Sequence, residues 1–537
     1  MSELLNLIEA WLTAFNVQML GGKPFHLNMV KTALLVFCGG LLLWIVGWRS
    51  SEQPLHRFVR WCESRAVNFY IALMSSLLMV GLSYLSVAQF YTFTGQTFDL
   101  AIYSNTIWNT LHGRWFFDSI SNGHRLGDHF APILAAFAPL YALWDSPIWL
   151  LLIQAVATGL GAVALGLMAY RVTNQAVATF MLLLVYASNP YLHSAMAHNF
   201  HPIFLAIPIF LWLLYALDRH HPWAIWIACG LAMVALLVEE SLPPGLVGIG
   251  LYLMLFRPEY RKLGVVFVIS GAVWFLIEVS VWIPHFSQCG GLCHWHRYEN
   301  LGPDVRSALV RLATDPFFLV SEALLQHHKY YYLLALLFSV GFLPLLAWRE
   351  ATLIILPAFF MLLSGNGGQY KFGFHYSAVV LPFLFYSTIH GMARLSNLKH
   401  MVAGRITIRL PAAVLLVLLF ANIYQVKWSN LSHINADHIQ IIEDTLRMIP
   451  NQASLRVDGR FVARVSSRHQ ITVVSDDTDA NFNWWTPDYF LLDTSDEGGT
   501  PASVLVRKAL RDVLLNEHHY QIVLQRDGVT LLHRDKL

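Results

Sequence analysis

Apolar runs recur through this chain from residue 29 to residue 409, several near the ~20 residues that carry a helix across ~30 Å of hydrocarbon. Such a chain must satisfy its backbone polar groups inside each segment, which leaves helices or a closed barrel. A barrel would show alternating segments of about ten residues, not continuous runs such as 263–283. The composition agrees: of 537 residues, 56% are hydrophobic and 13% charged, and the mean hydropathy is +0.50. The expected class is an α-helical integral membrane protein. A net charge of +2 implies no bulk attraction to nucleic acid.

Twelve spans are expected, at 29–48, 69–88, 148–170, 176–189, 203–217, 223–238, 245–256, 263–283, 331–348, 352–363, 378–392 and 411–424. Residues 130–144 are left out because Pro132 and Pro139 interrupt a short run, which reads as a helix dipping into one leaflet or packing on the bundle. With these spans the loops carrying Arg49, Arg171, Arg219, Arg257, Arg349 and Arg394 fall on one side, which basic loops make cytoplasmic. The other side receives the long first loop at 89–147, the loop at 284–330 and everything after residue 424. Residues 1–28 lack a basic start and read as an amphipathic segment on the membrane surface, with Leu4, Leu5, Ile8, Trp11, Leu12 and Phe15 on one stripe, rather than as a cleaved signal.

After residue 424 the pattern changes. A helix at 436–448, strands at 454–457, 471–474, 488–492, 521–524 and 530–532, and a helix at 501–515 predict a small extracytoplasmic α/β domain spanning 425–537. Roughly 110 residues suffice for a core of its own. No Gly-rich phosphate loop follows its first strand. Trp484, Trp485 and the acids Asp476, Asp477 and Asp479 could line a groove, or simply pack and solvate a turn.

The side chains that could carry chemistry gather at the outer edges of the spans. Asp99 follows the second span, and Asp128 and His129 lie just before residues 130–144. A carboxylate at an interface can take the proton of an attacking hydroxyl, and a second acid or an imidazole can orient it or hold a cation. Both aspartates also precede helix-like segments, where Asp commonly caps an N-terminus. Glu239 and Glu240 end an apolar span, a costly place for paired acids unless one faces a wet cavity or a cation. His193, His198 and His201 border the next short outer loop. Lys371, His375 and Tyr376 lie in a Gly-rich loop that could hold the phosphate of a lipid. Cys289 and Cys293 could close a small disulfide loop, remain thiols, or ligate a metal with His294 and His296; their spacing matches no common zinc pattern.

These motifs resemble a family of bacterial and archaeal polytopic membrane proteins catalogued as domain of unknown function 2079. The resemblance rests on Phe98-Asp99-Leu100 with Trp108 and Gly113, on the run from Leu126 to Ile133, on Phe200-His201-Pro202, and on His375-Tyr376 leading to Pro382 and Phe385. That family in turn is similar to the glycosyltransferase C superfamily. The resemblance implies a glycosyltransferase C-like fold and transfer of a sugar from a polyprenyl-phosphate donor to a hydroxyl acceptor outside the cytoplasm, at a bacterial inner membrane. Asp99 best matches the first-loop carboxylate of that superfamily and, with Asp128 and His129, is a catalytic candidate, while the chemistry of Lys371, His375 and Tyr376 makes them candidates for the donor phosphate. Glu239, Glu240 and His201 would support them or hold a divalent cation such as Mg²⁺ or Mn²⁺. The first loop lacks an adjacent pair of acids, and Leu237-Val238 stand where such families usually place a lysine before the acids. A transporter or lipid-handling protein, which would bury acids midway in helices, and a non-catalytic assembly subunit are the competing classes.

Overall fold

The computed structural model describes residues 66–95, 97–196, 200–219, 221–370, 374–397, 410–425, 435–474, 486–495 and 501–534. The expected N-terminal segment, the span at 29–48, Lys371, His198, the acids at 476–479 and the Trp484-Trp485 pair lie outside the described residues. From Asn68 onward the chain forms one compact unit.

Helix α1 (Val67–Tyr91) leads into α2 (Phe98–Leu111). A two-residue hairpin, β1 (Phe117–Asp118) with β2 (Gly123–His124), follows, then tight turns and short helices to Leu143. The bundle continues with α3 (Ile148–Thr173), α4 (Ala176–Ala187), α5 (Ala206–Asp218), α6 (Ala224–Leu236), α7 (Pro243–Phe256) and α8 (Arg261–Ile277). Beyond these come α9 (His327–Phe338), α10 (Trp348–Leu362), α11 (Leu381–Asn397) and α12 (Leu410–Gln425). Helices α7 and α8 meet through Gly250 and Gly264: a Cβ on either would lie 2.6 or 2.7 Å from the other's carbonyl oxygen. Small residues at that crossing let the backbones touch, the usual basis of helix association in lipid.

Among the described residues three helices are long and apolar enough to cross a membrane: Val67–Tyr91, Ile148–Thr173 and Pro258–Phe286. The chain therefore has the character of an integral membrane protein, but among the described residues only these three of the twelve or so expected spans are long and apolar enough to cross. Five further apolar helices, including Ala176–Ala187 and Pro243–Phe256, are shorter. The span expected at 331–348 breaks: α9 ends at Phe338, Gly341 and Phe342 take positive φ (64° and 55°), and the chain restarts at Leu343. A left-handed pair cannot continue a helix, and hydropathy alone does not reveal it.

The C-terminal part holds α13 (Ala436–Arg447), strands β3 (Leu455–Asp458), β4 (Ile471–Val474) and β5 (Tyr489–Asp493), α14 (Pro501–Asn516), and strands β6 (Gln521–Arg526) and β7 (Val529–His533). Strand order is β4-β3-β5-β7-β6, with β3 parallel to β4 and β5, and β7 antiparallel to β5 and β6. Alternation divides the faces. Phe490, Leu492 and Leu532 pack with Leu510 and Leu514 of α14. Leu491, Leu531, Leu455 and Val457 instead join one core with Leu100, Ile102 and Ile107 of α2 and Leu150 of α3. Asn105 reinforces this seam by donating to the carbonyls of Ser466 (2.6 Å) and Arg468 (2.9 Å). The sheet thus shares its core with the first loop and fixes the helix that carries Asp99.

Candidate active site

Asp99 occupies the first turn of α2, behind an N-cap residue, Thr97, that makes no side-chain cap. The Thr97 hydroxyl donates instead to the carbonyls of Gly459 (2.7 Å) and Arg460 (3.0 Å). Asp99 is therefore not the cap; its Oδ2 lies 3.3 Å from His201 Nε2. His201 is held from two sides: its backbone N–H donates to Gln154 (3.0 Å), and its ring stacks on His375 with centroids 3.6 Å apart. Three residues named from separate segments thus form one array. Burial raises the Asp99 pKa, but the His201 hydrogen bond and the charges of His201, Arg125 and His129 outweigh it and leave the carboxyl below its ordinary value. Its side chain remains 45% exposed among the described residues.

Asp128 closes a tight turn, Arg125–Gly127, and is likewise no helix N-cap. Its oxygens pair with the Arg125 guanidinium and the His294 imidazole. Burial opposes ionisation, yet His129, Arg125 and His294 together hold this carboxyl far below the usual range. Arg125 also donates to the Tyr103 hydroxyl (3.1 Å) and lies over its ring, 4.6 Å from the centroid. Gly127 makes the turn possible, because a Cβ there would meet the Phe286 carbonyl at 2.4 Å.

Both oxygens of Glu240 are engaged: Oε1 lies 2.6 Å from His129 Nδ1, and Oε2 accepts from the Phe130 N–H at 3.0 Å. Desolvation disfavours the imidazolium, but Glu240 and Asp128 prevail and push the His129 pKa up to about 9. Glu240 moves down, since burial is outweighed by His129. Glu239 moves the other way: burial and the Glu240 charge, against the pull of His129, push it up to about 7. Its carboxylate accepts from the Ser241 hydroxyl at 3.0 Å. Of the paired acids, Glu240 is the one that pairs with an imidazole, His129.

At the proposed phosphate end, Tyr376 accepts from Arg297 Nη1 at 3.2 Å, and His375 is fixed by the stack on His201. His193 is spent on the Ala187 carbonyl, 2.5 Å away. Three participants were not named for this site. His294 reaches Asp128 from the segment that the Cys289–Cys293 disulfide closes. Arg297 follows on the same turn. Glu278, in a π-helical turn at the end of α8, is fully buried. A lone acid within an otherwise apolar run was its visible signal, and π-turns concentrate at functional sites.

Asp128, His129 and His294 offer ligand atoms within 4.8 Å of one another, as do His129, Glu239 and Glu240. This mixed imidazole–carboxylate set suits a borderline ion better than Mg²⁺, which prefers oxygen donors and its own waters.

Residues 89–531 match the sequence profile of a family described as "Predicted membrane protein (DUF2079)". The chain belongs to the DUF2079 family. The DUF2079 match begins ahead of Asp99 and runs into β7, so it takes in every residue of the cluster. No curated protein matches this DUF2079 chain in sequence. Among solved structures it is similar to ArnT from Cupriavidus metallidurans in the apo state, at 14% identity and a TM-score of 0.48, over 85% of this chain and 97% of that one. ArnT bound to undecaprenyl phosphate gives 13% identity and a TM-score of 0.45 over the same shares.

Proposed function

We propose that this DUF2079 protein is a membrane glycosyltransferase that takes a sugar from a polyprenyl-phosphate donor and passes it to a hydroxyl acceptor at the outer face of the membrane. The observation that carries this reading is the placement of Asp99: a half-exposed carboxylate 3.3 Å from His201, beside carboxylates already committed to partners. A group so placed can accept the proton of an acceptor hydroxyl. The hydroxyl oxygen then bonds to the anomeric carbon, the bond from that carbon to the phosphate oxygen breaks on the opposite face, and polyprenyl phosphate leaves with the electron pair. Positive groups nearby suit the departing anion: the His129 imidazolium, and Arg297 with Tyr376, while the His375 ring is held beside Asp99 by its stack on His201; Lys371 is a further candidate by sequence alone.

Asp128 acts through Arg125 and His294, holding these donors in place. Asp128, His129 and His294, or His129, Glu239 and Glu240, would hold a divalent cation only with the imidazoles deprotonated, and a bound cation would then supply the charge stabilisation in place of the His129 imidazolium. Glu278 is the one observation on the side of transport or lipid handling, since it is a buried acid inside an apolar helix. It lies within electrostatic reach of Glu239 and Glu240, at the same end of the bundle as Asp99.

Native mass spectrometry of the detergent-purified protein, followed by lipid extraction, tests the reading. A retained polyprenyl phosphate or its sugar conjugate is expected. Absence of any polyprenyl species, or a stoichiometric protein partner in its place, would move the function to transport or assembly.

A further inference from the structure

The segment that brings His294 to Asp128 is tied at both ends and closed by one covalent bond. At its near end a Cβ on Gly127 would lie 2.5 Å from the Ser287 nitrogen, so the two backbones touch. The Gln288 side chain donates to the Asn122 carbonyl in the turn between β1 and β2. At the far end Arg297 donates to Tyr376 at 3.2 Å, and its carbonyl accepts from the Gly365 N–H at 2.7 Å. Between these anchors runs Cys289-Gly290-Gly291-Leu292-Cys293, with the disulfide joining its two ends. His294 follows directly, and its imidazole meets Asp128.

The glycines between the cysteines touch little. Gly290 has a positive φ of 68°, and a Cβ on Gly290 or Gly291 would meet no described atom within 4 Å. Two adjacent glycines give the backbone wide freedom once the ring they sit in is opened. Both cysteines are exposed, so an attacking thiolate can approach either sulfur. Ser287 Oγ lies 2.9 Å from each sulfur. Attack on one sulfur expels the other as a thiolate, and a hydroxyl in contact with both can donate to whichever leaves. Such a hydrogen bond favours the charged form of the leaving thiol, and a better leaving group exchanges faster.

We propose that Cys289 and Cys293 form a thiol–disulfide exchange site whose state latches His294 onto Asp128. The co-reactant is a dithiol. One of its thiolates attacks a protein sulfur, the S–S bond breaks, and the other protein sulfur leaves as a thiolate and takes a proton. The second thiol of the reductant then attacks the mixed disulfide and frees the remaining protein thiol, so two electrons and two protons pass to the cysteine pair and the reductant becomes a disulfide. With the ring closed, His294 is held on Asp128; with it open, the Gly-Gly loop relaxes and Asp128 is left to Arg125. As control of sugar transfer this rests on the function proposed above. The latch itself rests on the geometry around Asp128, and none of its readouts needs turnover, so either can fail alone.

Hydrogen exchange of the full-length protein in detergent, in buffers of oxidised or reduced dithiothreitol, tests the latch, with alkylation and mass spectrometry reporting the state of the two cysteines. Reduction should speed exchange of the 292–296 amides about tenfold, as opening a short covalent loop implies, and leave α13 as it was. Cys289→Ser combined with Cys293→Ser should exchange fast in both buffers, and Ser287→Ala should slow the reduction severalfold. The second readout is the coupling to His294: His294→Ala should lower the melting temperature of the oxidised protein and leave that of the reduced protein unchanged. Exchange at 292–296 that ignores reduction, a pair that stays oxidised in excess dithiothreitol, reduction as fast in Ser287→Ala as in the wild type, or an equal loss from His294→Ala in both states would overturn the proposal.

Discussion

His129 and Glu240, 111 residues apart in sequence, meet at 2.6 Å and tie the long loop after α2 to the turn between α6 and α7. Both are largely buried, so removing one partner leaves the other charged and unpaired. His129→Gln and Glu240→Gln should each cost about 3 kcal/mol, while the double variant should cost less than the sum. A thermal-melt double-mutant cycle measures the coupling, and additive losses would deny it.

The same pair sets a pH window. The His129 pKa is raised from 6.5 to about 9 in the folded chain, so its contribution to stability is complete below about pH 6.5 and is lost as pH rises through 9. Between pH 7 and 9.5 the wild-type melting temperature should fall more steeply than that of His129→Gln. Parallel curves would remove His129 from the titration.

Gly127 carries the backbone of the Asp128 turn against Phe286. Gly127→Ala puts a methyl where the Phe286 carbonyl stands, and relief by backbone movement should cost about 1–3 kcal/mol. Because the movement displaces Asp128 from Arg125 and His294, transfer should fall along with the melting temperature. A variant that melts and reacts like the wild type would show the contact to be slack.

Much of the C-terminal region was legible, because short apolar and β-branched runs set between polar turns mark its strands and its helices carry one apolar stripe: all five strands and both helices lie within a few residues of their expected places. The acids and imidazoles of the site could also be picked out, since Asp99, His201, His375, Asp128, His129 and Glu240 stand out against apolar surroundings. Their partnerships could not. His294 meets Asp128 across 166 residues, and no local pattern encodes that encounter. Glu278 was passed over because the run around it scores as a span despite the acid. The break at Gly341 and Phe342 was hidden because a left-handed turn leaves no trace in hydropathy.

The shared core makes a further expectation. A fragment spanning 435–537 would expose Leu455, Val457, Leu491 and Leu531, which pack against α2 and α3 in the whole chain. It should aggregate or lack dispersed amide resonances when expressed alone; a folded, monomeric fragment would show that the sheet stands without the first loop.

The ligand geometry about Asp128 predicts stabilisation by Mn²⁺ or Zn²⁺ beyond that by Mg²⁺, growing with ion concentration as binding to the folded state requires. His294→Ala should abolish the rise in melting temperature. Equal effects of all three ions, or a rise that survives His294→Ala, would place the binding elsewhere.

Asp99 bears the central claim. Sugar transfer from a polyprenyl-phosphate donor to a hydroxyl acceptor should be measured in proteoliposomes for the wild type and Asp99→Asn, with melting temperature and donor retention followed in parallel. Asn keeps the shape and loses the base, so turnover should fall about 10²–10⁴-fold while folding and donor retention persist. Undiminished turnover by Asp99→Asn would contradict the account.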